Sequence, residues 1–181
     1  LEKIKNIMKR LLLIFSYAFA LNWIWENLHS YLYFHPNGEP ITQYMLLRAT
    51  LFDAIFITVL SVFFLKIAYF RERKWHALIF GFIAAFFIEK YALETGRWAY
   101  NSLMPIIPLL QTGLTPTIQL GILSYVVFSI VDRKNKLFQC PECGLHYRSK
   151  EWAEKCEAWC LKHKSCNLEI TSHAIENPEL E

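Results

Sequence analysis

The sequence predicts an all-α membrane protein, with four spanning helices that run alternately up and down and a small zinc-stapled tail. Four apolar segments predict the helices: residues 11–34, 44–70, 76–98 and 106–131. Each is about twenty residues or longer, enough to cross the hydrocarbon core of a bilayer. The composition agrees, since 54% hydrophobic and 16% aromatic residues exceed the content of an ordinary soluble domain. Pro105 and Pro108 mark the start of the fourth segment, and Gly113 and Pro116 are expected to break its first turns.

The basic residues predict the orientation of these helices. Ten of them lie before the first segment, between the second and third, and after the fourth: Lys3, Lys5, Lys9, Arg10, Arg71, Arg73, Lys74, Arg133, Lys134 and Lys136. The connections 35–43 and 99–105 contain no Lys or Arg, and only Arg97 borders one of them. Because short basic loops stay in the cytoplasm, both termini are expected there. These loops account for the net charge of +3, so no nucleic-acid partner is predicted.

The composition changes after the fourth segment. Residues 132–136 form the charged run D-R-K-N-K, and the chain beyond them is mildly acidic and soluble in character. This change divides the chain into a transmembrane domain, residues 1–136, and a cytosolic Cys-rich module, residues 137–181. A module of about 45 residues is near the lower size limit for folding alone, so we expect it to need a staple.

Every cysteine of the chain lies between positions 140 and 166. The run C-P-E-C-G, from Cys140 to Gly144, has the form of a zinc knuckle, in which two sulfurs leave one tight turn. The glycine lets backbone N–H groups turn toward the bound thiolates. In the cytosol such a pair more often binds metal than forms a disulfide. The motif therefore predicts one half of a metal site.

The other half is predicted on a helix over residues 149–164, capped by Ser149. Cys156 and Cys160 lie one turn apart on this helix, so both can point at one ion. We therefore predict a structural zinc ion bound by four thiolates: Cys140, Cys143, Cys156 and Cys160. The pattern resembles treble-clef and zinc-ribbon modules, although their second pair is usually C-x-x-C. The C-x-x-x-C spacing leaves open whether His163 or Cys166 replaces Cys160.

Polar residues of the predicted helices share one depth. Ionisable side chains are costly inside spanning helices and usually face the interior of the bundle. The predicted topology places such residues of all four helices in the outer half: Asn22, Glu26, His29, Arg48, Asp53, Glu89, Lys90, Glu94, Arg97, Gln111, Thr115 and Gln119. This agreement predicts a site. Its candidate acid–base residues are Glu26, His29, Asp53, Glu89 and Glu94.

Several of these residues also have structural explanations. Lys90 and Arg97 could reach the membrane surface, with Glu94 paired to either of them. Trp98 and Tyr100 fit an aromatic belt at the outer surface. Two interpretations remain open for the other four residues, Glu26, His29, Asp53 and Glu89. They could line a functional cavity or form a structural ion-pair network.

One stretch carries a resemblance to a known family. Glu89 is followed by the run T-G-R-W-A-Y, which ends at Tyr100, and then by two prolines. Over residues 89–119 the chain resembles small carotenoid-pathway membrane proteins of the lycopene-cyclase and hydratase type. The resemblance implies an isoprenoid-like substrate and acid chemistry at carboxylates such as Glu89 and Glu94. As a whole, the chain also resembles small microbial membrane proteins of unassigned activity that end in such a Cys module.

The sequence favours a membrane protein that binds, and could transform, an apolar lipid-phase molecule. Buried carboxylates below an apolar access route would supply acid–base chemistry. The alternative is metal-ion uptake or sensing, with Glu26, His29 and Asp53 as the entry site and the tail as acceptor. No Walker loop, GxSxG elbow or HExxH motif is present, so ATP-driven transport and common hydrolase chemistry have no support. Four spans enclose little volume, so a homo-oligomer could complete the site.

Overall fold

The computed structural model describes residues 2–36, 39, 41–134 and 137–176, with the backbone alone at residues 2, 3 and 134. The chain divides into two compact units, Leu1–Val131 and Asp132–Glu181. The division therefore falls slightly before the predicted boundary at residue 136. The first unit contains the apolar helices, and the second contains all the cysteines.

Helices account for most of the chain. They are, in order, α1 (Glu2–His29), α2 (Gln43–Lys66), α3 (Ala68–Glu72), α4 (His76–Glu94), α5 (Leu114–Lys134), α6 (Lys150–His163) and α7 (Leu168–Thr171). A 3-10 turn, Ser30–Leu32, extends α1. Four helical stretches are long and apolar enough to cross a membrane: Ile4–Leu32, Gln43–Lys66, His76–Glu94 and Leu114–Arg133. The prediction of four candidate spanning helices is confirmed at this level.

Short antiparallel strand pairs join the connections between helices. They are β1 (Tyr33–Phe34) with β2 (Ala99–Tyr100), β3 (Ile106–Ile107) with β4 (Thr112–Gly113), and β5 (Phe138–Gln139) with β6 (His146–Tyr147). The first pair sets Tyr33 opposite Tyr100. Because β1 follows α1 and β2 follows α4, the connections after these two helices meet at one end of the first unit. We call it the strand-paired end.

The start of the fourth helix differs from the prediction. Residues 106–113, predicted as helix, form the β3–β4 hairpin, and α5 begins only at Leu114. Gln111 has a φ of 56°, and this left-handed conformation turns the chain between the two strands. The Leu114 N–H donates to the carbonyl of Pro105 at 2.7 Å, which closes the hairpin against the helix start. Pro116 does not break α5, because it lies in the first turn, where its missing N–H has no partner to lose.

The interior of the first unit differs between its two ends. At the end opposite the paired strands, aromatic rings from α2, α3, α4 and α5 pack together: Phe63, Phe64, Phe70, Phe80 and Phe128. Nearby, α4 and α5 approach so closely that a Cβ on Gly81 would lie 2.4 Å from the Cα of Gly121. Such an approach requires small residues on both helices. The buried polar side chains described next lie toward the strand-paired end.

The second unit consists of the β5–β6 hairpin with α6 and α7. Helix α6 spans Lys150–His163, close to the predicted 149–164. Ser149 is its N-cap residue, but the side chain makes no capping hydrogen bond, contrary to expectation. At the other end, Lys164 takes the left-handed conformation with a φ of 52°, a common way to end a helix. The small core contains three cysteines among its buried residues: Cys140, Tyr147, Ala153, Cys156, Cys160 and Ala174.

Candidate functional site

The amide group of Gln119, on α5, lies at the centre of a polar cluster in the first unit. Its Nε2 is 2.7 Å from Glu26 Oε1 and 3.2 Å from Asp53 Oδ2. The same nitrogen is 3.2 Å from Asn22 Oδ1. The structure therefore brings together polar residues from α1, α2 and α5, as their shared predicted depth implied.

The orientation of these amides follows from the contacts. Asn22 is fully buried, and its Nδ2 donates to the carbonyl of Ala18 at 2.8 Å. Its Oδ1 is therefore left to accept from Gln119. The Gln119 amino group has two hydrogens but faces three acceptor oxygens. Since two of these belong to carboxylates, Glu26 and Asp53 compete for the same donor.

Glu89, on α4, is held by a separate set of donors. It is 4% exposed, and its Oε1 accepts hydrogen bonds from the Tyr100 hydroxyl at 2.7 Å. Weaker contacts of 3.3 Å come from the Tyr33 hydroxyl and from Trp98 Nε1. Burial, and then the hydrogen bond to Glu89, raise the pKa of Tyr100, so its hydroxyl stays protonated and donates. Three donors on one oxygen hold Glu89 as an acceptor.

The strand pairs position these donors. Residues 98 and 100 alternate along an extended segment, so both can reach the same side, and β1–β2 pairing sets Tyr33 beside Tyr100. The Gly113 N–H in β4 donates to the Tyr100 hydroxyl at 2.7 Å, which links the second hairpin to Glu89. The sequence interpretation assigned Trp98 and Tyr100 to an aromatic belt and missed this role. The signal that could have found it is the W-x-Y spacing close after a buried carboxylate.

A cavity of about 730 Å³ lies beside these groups, within the size range of small-molecule sites. Three carboxylates line it: Glu26, Asp53 and Glu89. Most of the remaining wall is apolar and comes from α2, α4 and α5: Met45, Leu46, Ala49, Leu51, Phe52, Ile55, Ala85, Ile88, Pro116 and Leu120. The cavity thus combines apolar walls with a concentrated group of acids.

Two candidate residues lie outside this arrangement. His29 is buried, but its Nε2 contacts Thr115 Oγ1, and it does not line the cavity. Glu94 is exposed near the end of α4, 4.0 Å from Lys90 Nζ, which matches the structural explanation considered above. The structure therefore assembles Glu26, Asp53 and Glu89 at the cavity without His29 or Glu94.

The four predicted thiol ligands come together in the second unit. All their sulfurs lie within 4.8 Å of one another, and the cysteines form no disulfide. A tetrahedral zinc ion with bonds of about 2.3 Å separates its sulfurs by about 3.8 Å. The distances from Cys156 Sγ to Cys143 Sγ and Cys160 Sγ, 3.5 and 3.9 Å, fit this geometry. The four cysteines can therefore hold one metal ion.

The local fold explains how the thiols converge. Gly144 has a φ of 80°, and its N–H donates to the carbonyl of Cys140 at 2.9 Å, which closes the tight turn. Cys156 and Cys160 project from one face of α6. The two alternative ligands lie elsewhere, since Cys166 is exposed and His163 stacks on Trp159 at 4.1 Å between ring centroids. The cluster therefore contains Cys160 rather than either substitute.

The thiols differ in their acidity. Burial raises the pKa of Cys160 to about 11 and also raises the pKa of Cys156. Burial opposes ionisation of Cys143 as well, but hydrogen bonds from the Leu145 backbone and from neighbouring thiols lower its pKa overall. Cys143 is thus the thiol that ionises most readily of these three, and a metal ion must displace protons from the other two.

Comparisons with known proteins give no further assignment. The chain matches no protein-family model, no curated protein and no solved structure.

Proposed function

We propose that the membrane-spanning unit binds an apolar molecule from the lipid phase in the cavity at its strand-paired end. The observation that carries this proposal is the cavity of about 730 Å³ with three carboxylates set into a mostly apolar wall. Apolar walls favour a hydrocarbon body, and the carboxylates provide partners for a polar group or a proton. An isoprenoid-like molecule meets both requirements.

The carboxylates are suited to two different proton roles. Glu26 and Asp53 share a single amide donor, and its two hydrogens cannot satisfy all three acceptor oxygens around it. A proton retained on one of the two carboxylates would supply the missing hydrogen bond. Such a group can act as a general acid toward a double bond. Three donors on one oxygen stabilise the ionised form of Glu89, so this carboxylate is the candidate to remove a proton. The arrangement thus supports acid–base chemistry on an unsaturated molecule, in which one carboxyl group gives a proton and another removes one.

A cavity-filling variant tests the binding. The full-length protein purified in mild detergent should carry a copurifying lipid detectable by native mass spectrometry. Ala49→Phe places a ring in the cavity and should remove that lipid, whereas Val59→Phe, on the exposed face of α2, should keep it. Retention of the lipid by a folded Ala49→Phe variant would contradict the proposed site.

Two carboxylate variants test the chemistry. Glu26→Gln and Glu89→Gln preserve the shape of each side chain but remove its ability to exchange a proton. We expect weakened binding or lost turnover in both, with the thermal unfolding midpoint used to confirm that each variant folds. The proposal fails if binding and any turnover of the copurified lipid are unchanged in both.

We also propose that the tail is a structural zinc module in the cytoplasm, with both termini on that side. The thiol cluster supports a soft-ligand metal site, and the distribution of basic residues supports the orientation. Reporter fusions at the two connections of the strand-paired end and at the C-terminus would test the orientation. The reporters should give opposite signals, and equal signals would refute it.

Metal-ion uptake or sensing is the second candidate, and the thiol cluster is the observation that favours it. Against it, His29 contacts Thr115 rather than Glu26 or Asp53. Within residues 2–36, 39, 41–134 and 137–176, the four cysteines are the one group of three or more metal-ligating side chains close enough to hold an ion. Metal uptake by cells should be unchanged in a Glu26→Ala/His29→Ala double variant if the lipid proposal is correct.

A further inference from the structure

We propose that the mouth of the cavity binds an anionic head group through Arg48 and Arg97, so the ligand is an amphiphile with a carboxylate or phosphate head. This inference rests on the proposed lipid-binding function and specifies the class of ligand. Both arginines line the same cavity as the three carboxylates. Both are also exposed, which sets their side chains at the opening rather than in the interior.

Arg48 reaches the cavity from α2. Its Cζ lies 5.8 Å from the centroid of the Tyr44 ring, one turn earlier on the same helix. It lies five residues before Asp53, so the mouth and the acidic group are about one and a half turns apart along the helix.

Arg97 reaches the cavity from the segment that follows α4. Gly96 has a φ of 64°, a conformation that glycine adopts without strain, and it turns the chain just before Arg97. The Arg97 Cζ lies 4.9 Å from the centroid of the Tyr91 ring. Two arginines on different segments, each packed on the ring of a nearby tyrosine, thus face one opening.

The charges at the mouth are available to a ligand. Neither arginine forms an ion pair with a carboxylate in the part of the chain that the structure describes. Glu94, three residues before Arg97 in the chain, lies 4.0 Å from Lys90 Nζ. Inside the cavity, by contrast, Glu26, Asp53 and Glu89 already accept hydrogen bonds from the protein. An anion is therefore directed to the mouth, where guanidinium groups can bind carboxylate or phosphate oxygens in pairs.

Matched lipid probes test this assignment on the full-length protein in detergent. The probes share the same hydrocarbon chain and differ in the charge of the head group. Oleic acid and oleyl phosphate are anionic, oleyl alcohol is neutral and oleylamine is cationic. We expect the two anions to bind at least about tenfold more tightly than the alcohol, a difference of about 1.4 kcal/mol, because only the anions form charged hydrogen bonds with the arginines. Arg48→Gln and Arg97→Gln should each reduce oleate affinity about tenfold and leave oleyl alcohol unchanged.

The controls separate this inference from the proposed function. Arg71→Gln, outside the cavity lining, should leave oleate affinity unchanged, and Arg48→Lys should restore part of it. Three results would each overturn the anionic site: equal affinity for acid and alcohol, tighter binding of the amine, or oleate binding unaffected by both Gln variants. The proposed lipid-binding function would survive each of them, provided that the alcohol binds and that Ala49→Phe blocks its binding. Inorganic phosphate or acetate binding as tightly as the lipids would overturn the lipid source. If no probe binds a folded protein, the proposed function falls too.

Discussion

Loss of one thiol from the cluster formed by Cys140, Cys143, Cys156 and Cys160 should unfold the C-terminal module. We expect Cys143→Ser to abolish zinc binding by the full-length protein, while Cys166→Ser leaves it intact. The two variants make the same chemical change. They differ in position, since Cys143 lies within 4.8 Å of the other three sulfurs and Cys166 is exposed outside the cluster.

The size of the effect follows from the composition of the module's core. Three of its six buried core residues are the cysteines themselves, so little apolar area remains to stabilise the fold. A single core in a chain below about 70–80 residues rarely supplies more than about 3–5 kcal/mol. Binding of a structural zinc ion contributes about 10–16 kcal/mol in zinc-finger peptides. Loss of the ion therefore removes more free energy than the rest of the module can provide.

Two measurements test the expected loss of zinc and of folding in Cys143→Ser. Elemental analysis of the purified protein should give about one zinc ion per chain for the wild type and for Cys166→Ser, and almost none for Cys143→Ser. Limited trypsin digestion reports folding, because α6 contains Lys150, Lys155 and Lys162. These sites should be protected with zinc bound and cut rapidly in Cys143→Ser or after chelation. A Cys143→Ser protein with full zinc and protected lysines, or loss of zinc from Cys166→Ser, would refute the assigned ligands.

Three further predictions concern packing, hydrogen bonding and pH. Gly81→Ala should lower the free energy of unfolding by about 1–3 kcal/mol, measured by thermal unfolding, because its Cβ would lie 2.4 Å from the backbone of α5; an unchanged midpoint would contradict this contact. Tyr100→Phe should lower the thermal unfolding midpoint more than Tyr33→Phe, since their hydroxyls lie 2.7 and 3.3 Å from Glu89 Oε1. The reverse order would contradict the assignment of the stronger hydrogen bond to Tyr100. Because burial raises the pKa of Cys160 to about 11, its proton must leave when zinc binds near pH 7, so affinity should rise with pH and fall on acidification. Calorimetry in two buffers of different ionisation enthalpy should detect that proton, and its absence would contradict the shift.

The spanning helices could be predicted because length and apolar content suffice to identify them. The start of the fourth could not. Residues 106–113 include Ile106, Ile107 and Leu109, so hydropathy alone extends the helix through them. Their pairing as a hairpin depends on a turn at Gln111 with positive φ and on a backbone contact from Leu114 to Pro105. Neither has a periodic signal in the sequence.

The Cys cluster was the part of the candidate sites that the spacing described best, since a C-x-x-C turn and two cysteines one helical turn apart already restrict the geometry. For the polar cluster around Gln119, the sequence predicted only that its residues share one depth. The predicted topology placed Glu26, Asp53 and Gln119 at one level, but the rotation of each helix decides which side chains meet. For the same reason His29, three residues after Glu26 and at the same predicted depth, contacts Thr115 instead.

Within the described residues, the lack of Lys or Arg beside the acidic group argues against one of the two interpretations that the sequence left open, the structural ion-pair network. A structural ion-pair network would set Lys or Arg against Glu26, Asp53 and Glu89, because breaking such a pair leaves a costly buried charge. Across the part of the chain that the structure describes, none of the three carboxylates forms an ion pair with Lys or Arg. They accept instead from one amide, two phenols and an indole. Two carboxylates that share one donor beside an apolar cavity add little stability by themselves, which supports the proposed role in binding over a role in holding the helices together.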